Sequence, residues 1–325
     1  MTEPKYWRPR FAYSTINWGE TPDLPRMLAE IRQAGWGAVE LFWHSLDWLG
    51  PPATLARDMG DLQTASLFGA VALPTDDKQL TKLMRHIDYA AAMGAGLFGL
   101  VGGHRLRWRP PADDEYTDLA NFCEALARYG AERGVVVAYH PHVACTIETE
   151  AEIDILLDRT ETMTLCLDAS HIALVGEDPL VHLRKYRART GYLHLKDWAR
   201  GKFVEMGRGT IGIDFAAIFR ELEAQRYAGW VVIEQSVSDV SPYESARINA
   251  AFVRGLGYDP GIIGIPSSRP HPNPAGFNAL SGNEGERRGP DKNRRLGQHR
   301  EHPARRAALG VLVAVDSAMD DRGRP

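Results

Sequence analysis

Acidic and imidazole side chains stand at the ends of several apolar runs in this sequence. The run "LCLDASH" ends on Asp168 and His171, and "GYLHLKD" carries His194 and Lys196 near its end. A later run, "WVVIEQ", carries Glu234. One such carboxylate, taken alone, is typical of a helix cap or a loop. Their repetition on successive runs predicts strands that deliver polar groups to a single site.

Two earlier runs add to this set. Glu40 lies in "GAVELFW", His140 ends "VVVAYH", and His142 and Glu148 follow in the next loop. Carboxylates with a neutral imidazole are suitable ligands for Mn²⁺, Mg²⁺, Co²⁺ or Zn²⁺. Without a cation, carboxylates that converge in a pocket would repel one another. The sequence therefore predicts one divalent metal ion, with these ligands: Glu148, Asp168, His194 and Glu234.

Three of the candidate site residues, Glu148, His171 and Lys196, also have simpler interpretations. Glu148 could belong to the first turn of a helix over residues 149–160, where the helix dipole stabilises a carboxylate. His171 could be a hydrogen-bonded histidine of the core. Lys196 could form a surface ion pair with Asp197.

Strand-like and helical segments alternate along residues 10 to 257, and these segments must position the polar groups. The predicted strands are 11–16, 37–43, 64–71, 96–103, 135–140, 163–169, 191–197 and 230–235. Helical periods lie between them, for example at 23–35, 118–134, 214–227 and 243–256. Eight strand–helix repeats over roughly 250 residues are typical of the (β/α)8 TIM barrel, whose active sites lie at the C-terminal ends of the strands. An open doubly wound α/β sheet is the alternative.

Composition narrows the class of protein. The chain has 325 residues, 44% of them hydrophobic, and a net charge of −4, so it can bury a large core and has no bulk attraction to nucleic acid or anionic membranes. Its three cysteines (Cys123, Cys145 and Cys166) do not form a disulfide pattern, which favours the cytoplasm. No apolar run is long enough to span a bilayer. We therefore expect a cytoplasmic protein without a nucleic-acid or membrane partner.

The sequence changes character after residue 257. Residues 258–325 are rich in Pro, Gly, Asn and Arg and have almost no hydrophobic period. Such a segment buries too little apolar surface to offset its chain entropy. We predict a barrel domain over residues 1–257 and a disordered tail over residues 258–325.

Five motifs resemble those of a known family. They are "TINW", "YHPHVACTIET", "DASH", "HLKDW" and "GWVVIEQ". In order and spacing they resemble the xylose-isomerase-like TIM barrels, a superfamily of metal-dependent sugar isomerases, epimerases and dehydratases. Within it, the motifs are most similar to those of the inosose dehydratases and of enzymes that cleave 3-keto C-glycosides.

The resemblance implies roles for individual residues. Asp168, His194, Glu234 and Glu148 would bind the metal, and His142 and His171 would lie beside the substrate. The chain departs from the dehydratase pattern at Ala144-Cys145, at Ala169-Ser170 and at Ser236. These departures leave an inosose and a 3-keto C-glycoside open as alternative substrates.

The expected activity is that of a metal-dependent lyase on a keto-sugar or inosose. His142 or His140 would remove an α-proton. The cation, expected to be Mn²⁺ with Mg²⁺, Co²⁺ or Zn²⁺ as alternatives, would act as a Lewis acid. Lys196 would stabilise a developing oxyanion, His171 would donate to a substrate hydroxyl, and Glu40 would bind a hydroxyl or serve as an acid. A sugar isomerase or epimerase is the alternative. A second copy of the chain or a small partner subunit could complete the pocket.

Other classes of protein fit less well. "GRGTIG" (residues 207–212) matches the dinucleotide-binding fingerprint of an NAD-dependent oxidoreductase. However, the preceding "KFVEM" is a poor buried strand and Asp214 would cap the next helix too soon. A DNA-repair endonuclease of the same superfamily would need a basic surface, and the barrel portion is mildly acidic. A barrel that only binds a partner would not need polar groups at the ends of five strands.

Overall fold

Eight parallel strands close into a barrel, as the sequence predicts, rather than forming an open sheet. The structure, a computed structural model, describes residues 9–42, 44–106 and 108–262. The barrel strands are β1 (Arg10–Ser14), β2 (Ala38–Phe42), β3 (Gln63–Val71), β4 (Leu97–Gly102), β5 (Val136–Tyr139), β6 (Thr164–Asp168), β7 (Thr190–Leu195) and β10 (Trp230–Ile233). Their order around the barrel is β1-β10-β7-β6-β5-β4-β3-β2. Each of the eight predicted strands overlaps one of these.

Helices connect the strands on the outside of the barrel. They are α1 (Leu24–Gln33), α2 (Leu46–Leu49), α3 (Pro52–Met59), α4 (Asp77–Ala92), α5 (Asp113–Ala131), α6 (Glu150–Asp158), α7 (Ala169–Leu174), α8 (Pro179–Lys185), α9 (Phe215–Ala224) and α10 (Pro242–Gly255), with a short 3-10 helix at Thr15–Trp18. Asp214 caps α9 as predicted, since its carboxylate accepts the backbone N–H of Ala217. Helix α5 begins five residues before its predicted start at Asp118, where the side chain of Glu115 accepts the backbone N–H of Ala112, and Asp118 instead accepts hydrogen bonds from Thr75.

The register of the parallel pairs aligns the polar strand ends. Asp168 of β6 is the direct partner of His194 of β7, and His194 is in turn the partner of Val232 of β10. On the opposite side of the barrel, Ser14 of β1 pairs with Glu40 of β2. Neighbouring strands lie about 4.8 Å apart, so this register brings the side chains of Asp168 and His194 together at one end of the barrel.

A β-hairpin after β7 was not predicted. Strand β8 (Asp197–Ala199) pairs antiparallel with β9 (Lys202–Val204). Trp198 and Phe203 bury their rings against Val143 and Leu174. The strands have three residues each, too short for a period to be recognised in the sequence.

The glycine-rich segment after the hairpin does not form a dinucleotide loop. The carboxylate of Asp197 accepts the backbone N–H groups of Gly207 and Gly209, at 3.0 and 2.8 Å. A Cβ at position 209 would lie 1.7 Å from Oδ1 of Asp197, so glycine is needed there for close approach. These glycines therefore bind a side chain of the protein itself, which removes the basis for the NAD-dependent alternative.

The described chain follows the barrel to residue 262. The ring of Tyr258 lies 5.8 Å from that of Phe11 and 5.0 Å from that of Phe219. The carbonyl of Pro260 accepts the N–H of Gly37. The first residues of the predicted tail thus pack on the barrel, while residues 263–325, on which the prediction of disorder falls, lie outside the described residues. In the part of the chain that is described, every helix is too short or too polar to cross a bilayer.

Candidate active site

Side chains from five barrel strands meet at the C-terminal end of the barrel. They come from, or directly after, β2, β5, β6, β7 and β10. They belong to Glu40, His140, Asp168, His194 and Glu234, each at most 2% exposed. The predicted site residues Lys196, His142 and His171 lie in contact with this group. The end of the barrel is thus the place where these polar groups converge, as expected for this architecture.

One side of the site is held together by hydrogen bonds between its own residues. This carboxylate half consists of Glu40, His194, Lys196 and Glu234. Nδ1 of His194 lies 2.7 Å from Oε2 of Glu234, and its Nε2 lies 3.0 Å from Oε2 of Glu40. The imidazole therefore bridges two carboxylates, one from each of the strands that flank β1, which fixes the orientation of its ring.

Glu40 is held in the barrel interior by further contacts. Its Oε2 accepts the hydroxyl of Ser66 at 2.8 Å and that of Tyr192 at 3.3 Å. Its side chain is fully buried. Glu40 thus contacts the imidazole of His194 from within the barrel.

Lys196 is an internal cation of the carboxylate half. Its Nζ donates to Oε1 of Glu234 at 2.7 Å and lies 3.2 Å from Oδ2 of Asp168 and 4.6 Å from the ring of Phe203. The residue is 1% exposed. The alternative of a surface ion pair between Lys196 and Asp197 is therefore wrong.

Asp168 lies between the two sides of the site. Its Oδ1 accepts the backbone N–H groups of Ser170 and His171, so it caps α7. Its Oδ2 lies 3.2 Å from Nζ of Lys196, 3.9 Å from Nε2 of His171 and 4.0 Å from Nε2 of His140. The simple interpretation as a helix cap is correct, and it leaves the second oxygen facing the site.

The other side of the site is made of His140, His142 and His171 and is called here the imidazole half. The ring centroids of His142 and His171 are 3.7 Å apart, and those of His140 and His171 are 5.4 Å apart. Nδ1 of His142 lies 2.7 Å from the carbonyl oxygen of Val143, the contact of a protonated Nδ1 that leaves Nε2 free.

His171 is not the hydrogen-bonded core histidine of the simpler interpretation. Among the residues that the structure describes, neither ring nitrogen of His171 has a hydrogen-bond partner, and Nδ1 of His140 has none either. Both residues are 2% exposed. Buried polar atoms are normally paired, so these nitrogens indicate a place for a ligand.

The two halves of the site shift the pKa values of their histidines in opposite directions. Burial, with the neighbouring Lys196 cation, lowers the pKa of His142 to about 4. Burial and the adjacent histidines hold the pKa values of His140 and His171 well below their usual range. The imidazole half is therefore uncharged at neutral pH.

In the carboxylate half the pairing of charges dominates. Burial alone would lower the pKa of His194, but the adjacent Cys166 and the carboxylates of Glu40 and Glu234 raise it well above its usual value. Burial would raise the pKa of Glu234, but Lys196 and His194 hold it well below its usual value. Burial raises the pKa of Asp168, against the effect of Lys196.

Glu148, the predicted metal ligand from the loop after β5, contacts an arginine instead of the other predicted ligands. Its Oε2 is 2.7 Å from Nε of Arg105, and Arg105 also pairs with Glu152 in α6. Glu148 precedes α6 by two residues rather than lying in its first turn. It is 3% exposed. The structure thus places Glu148 in an ion pair with Arg105 and not in the group of converging donors described next.

Four donors form a group that could hold a metal ion. One ligand atom each from His140, Asp168, His194 and Glu234 lies within 4.8 Å of the others. This buried carboxylate–imidazole donor set fits a divalent cation. Of the predicted ligands, Asp168, His194 and Glu234 belong to this group; His140, predicted as a catalytic base, takes the fourth place.

Sequence reasoning missed several contributors to the site. Tyr192 shares the alternating face of β7 with His194 and Lys196, and this period of two could have identified it. Phe203 and Arg105 gave no such signal. Phe203 reaches the site through the hairpin, where its ring lies 5.7 Å from that of His171. Arg105 reaches Glu148 from the loop after β4.

Known proteins share this fold. A 3-keto-D-glucoside 4-epimerase from E. coli has a TM-score of 0.65 at 19% identity, and the match covers 76% of this chain and 100% of that one. A probable 3-DHS dehydratase from Bacillus anthracis has a TM-score of 0.62 at 15% identity, covering 75% and 98%. At such low identity these likenesses show the fold alone.

Comparison of amino-acid sequences identifies the family, which the structural likenesses alone do not. An inosose dehydratase from Lacticaseibacillus casei is 29% identical, and the match covers 60% of this chain and 78% of the relative. Another, from Bacillus cereus (strain AH820), is 28% identical over 61% of this chain and 78% of its own length. Residues 28–256 match the family described as the xylose isomerase-like TIM barrel. The chain belongs to this family of xylose isomerase-like TIM barrels.

Proposed function

We propose that this protein is a divalent-metal-dependent lyase that acts on a keto-sugar or an inosose. The observation that carries the proposal is the group of four buried donors from β5, β6, β7 and β10, whose ligand atoms lie within 4.8 Å of one another. Unpaired imidazoles adjoin this group, so groups that bind a cation and groups that accept a proton stand side by side. The similarity to inosose dehydratases supports elimination as the reaction type.

Asp168, His194 and Glu234 would hold the metal ion, with a fourth donor. The geometry offers His140 as this donor, whereas the resemblance implies Glu148, which would have to leave Arg105. When bound, a divalent ion supplies Lewis-acid polarisation of the carbonyl of an α-hydroxy ketone. Separate His140→Gln and Glu148→Gln variants distinguish the two donors, since only the true ligand affects Mn²⁺ affinity strongly.

His142 is the proposed general base. Its contact with the carbonyl of Val143 leaves Nε2 unprotonated, and its low pKa keeps the ring neutral, so it can accept a proton. In the elimination, Nε2 accepts the α-proton and the electron pair of the broken C–H bond forms a C=C bond. The β-substituent departs with its bonding electrons and takes a proton from solvent water, His142 returns the α-proton to solvent, and an unsaturated ketone remains.

The other polar residues have supporting roles in this proposal. Lys196 supplies positive charge next to the carbonyl oxygen on which negative charge develops. His171, whose ring nitrogens have no hydrogen-bond partner among the described residues, would donate to a substrate hydroxyl. The contacts of Glu40 favour a role that differs from the one expected from sequence. It is fully buried and bonded to His194, so it would orient that ligand rather than bind a substrate hydroxyl.

The proposal is tested with the full-length protein loaded with Mn²⁺ in D₂O. Inososes and 3-keto-glycosides, including C-glycosides, are supplied as a panel and followed by proton NMR and by the absorbance of an unsaturated ketone. Loss of the β-substituent from one member supports the lyase. Deuterium incorporation with formation of an epimer indicates the epimerase alternative instead. Activity that persists in an Asp168→Asn variant, or after complete chelation, overturns metal dependence.

A further inference from the structure

A groove between two outer helices shares no lining residue with the active site. It lies between the loop that joins α7 to α8 and the segment that leads into α9, and it encloses a cavity of about 490 Å³. Apolar surface of this kind gains free energy when another apolar segment covers it. The aliphatic side chains that form its walls belong to Ala173, Pro179, Leu180, Ile211, Ile213 and Ile218.

The same groove is acidic. The carboxylates that line it belong to Glu177, Asp178 and Asp214. Asp178 and Asp214 each use one oxygen to cap a helix, and Glu177 lies 2.8 Å from Nε2 of His182. Among the described residues, the one lysine or arginine within 4.0 Å of these carboxylates is Arg220, which lies 3.9 Å from Asp214. The groove therefore carries an excess of negative charge.

A segment of this chain has the complementary character. Residues 304–315 read "ARRAALGVLVAV", so Arg305 and Arg306 directly precede an apolar run in an otherwise polar part of the sequence. This segment lies outside the described residues. Its apolar run matches the aliphatic walls of the groove, and its two cations match the carboxylates. Apolar contact would supply the affinity, and the pairing of opposite charges would fix the orientation of the segment.

The described chain ends close to the groove. The ring of Tyr258 lies 5.0 Å from that of Phe219 in α9, and Ile218 of the same helix lines the groove. A coil of about 40 residues, the number between residues 262 and 304, would span roughly 35 Å. Helix α9 has 10 residues and is about 15 Å long. The segment can therefore reach the groove of its own barrel.

We propose that residues 304–315 dock in the groove between α8 and α9 of the same chain. Leu309 and Leu312 cover the aliphatic walls, and Arg305 and Arg306 lie beside the carboxylates. The tether gives the segment an effective concentration on the order of a millimolar. An affinity of about 0.1 mM for the untethered segment would then keep it docked about nine-tenths of the time. This docking does not depend on the proposed function.

The experiment measures amide hydrogen exchange of the full-length protein by mass spectrometry. In the unmodified protein, the amides of residues 309–315 and of residues 211–213 in the groove should exchange about tenfold more slowly than in a Leu309→Asp/Leu312→Asp variant, because docking shields them. The matched control is Leu280→Asp/Leu296→Asp, which changes two leucines of the tail outside the segment and should keep the slow exchange.

A second pair of variants tests the charges. Arg305→Glu/Arg306→Glu places negative charge against the carboxylates of the groove and should remove most of the protection. Arg294→Glu/Arg295→Glu changes another arginine pair of the tail by the same amount and should leave the protection unchanged. All these substitutions lie outside the barrel domain, so they leave its packing intact.

Several results would overturn the proposal. Exchange at the same rate in the unmodified protein and in the Leu309→Asp/Leu312→Asp variant excludes docking, and an equal loss of protection in the leucine control excludes a specific segment. Protection of residues 309–315 without protection of residues 211–213 places the segment elsewhere. Protection that disappears on dilution indicates the groove of a second copy instead of the same chain. None of these results depends on metal binding or on activity, so they leave the proposed function to its own test.

Discussion

The two halves of the site use the same types of side chain in opposite ways. In the carboxylate half, His194 contacts Glu40 and Glu234, and Glu234 also accepts from Lys196, so each charge faces an opposite charge. In the imidazole half, His140 and His171 are equally buried but have nitrogens that no described residue pairs with. The carboxylate half pairs its charges with one another, whereas the imidazole half leaves ring nitrogens without a partner among the described residues.

This difference has a thermodynamic meaning. Breaking a buried ion pair is costly because the remaining partner keeps its desolvation penalty. Removing a buried polar group that has no partner relieves a penalty instead. The carboxylate half should therefore contribute to the stability of the fold, whereas the imidazole half should lower stability in exchange for ligand binding.

The largest effect is expected from Glu234→Gln. This change removes the negative charge that faces both His194 and Lys196, and it should lower the free energy of unfolding by about 3 kcal/mol. Urea denaturation of the metal-free protein, followed by circular dichroism, measures the loss. Glu221→Gln, in a surface pair with the exposed Arg184, is the control and should cost roughly 0.5 kcal/mol or less. Equal losses in the two variants would contradict the distinction between the halves.

Glu40→Gln tests whether Glu40 acts through His194. Residues that orient a metal ligand typically contribute about 10- to 100-fold in metal affinity. Mn²⁺ affinity, measured by the electron paramagnetic resonance signal of the free ion, should fall within that range. Ser66→Ala removes only a hydroxyl bonded to Glu40 and should have a smaller effect. If Glu40 instead bound a substrate hydroxyl, Mn²⁺ affinity would not change and the KM would rise.

The barrel and the set of strand-end residues could be predicted because both follow from local sequence. Parallel strands covered by helices are continuous apolar runs, and the residue that ends each run is visible directly, as with Asp168 and Glu234. Eight such runs at regular spacing determine which end of the barrel collects them. This information is contained in short segments of the chain.

The pairing within the site could not be predicted in the same way. Glu40 and His194 are 154 positions apart, and nothing local shows that their side chains meet across the barrel. The contact of Glu148 with Arg105 depends on how two loops fold, and neither loop has a hydrophobic period. The division of the site into a paired and an unpaired half is a property of the tertiary structure.

Gly209→Ala tests a feature on which both halves depend. The added Cβ would overlap the carboxylate of Asp197, which anchors the end of the β8–β9 hairpin. Phe203 of this hairpin contacts Lys196 in one half and His171 in the other. Overpacking of this kind costs about 1–3 kcal/mol, and protease cleavage near the hairpin should increase. Gly255→Ala, with open space around its Cβ position, is the control; similar cleavage of both variants would speak against the steric argument.

The smallest and most discriminating effect concerns His171→Phe. Since the His171 ring is buried, uncharged and without a hydrogen bond, an apolar ring of similar shape should raise the free energy of unfolding of the metal-free protein by about 1 kcal/mol. The same substitution at His194 leaves Glu40 and Glu234 without their shared partner and should lower it. The two measurements thus have opposite signs for the same chemical change. If His171→Phe destabilises the protein as His194→Phe does, the imidazole half is part of the structural framework, and its open nitrogens are not reserved for a ligand.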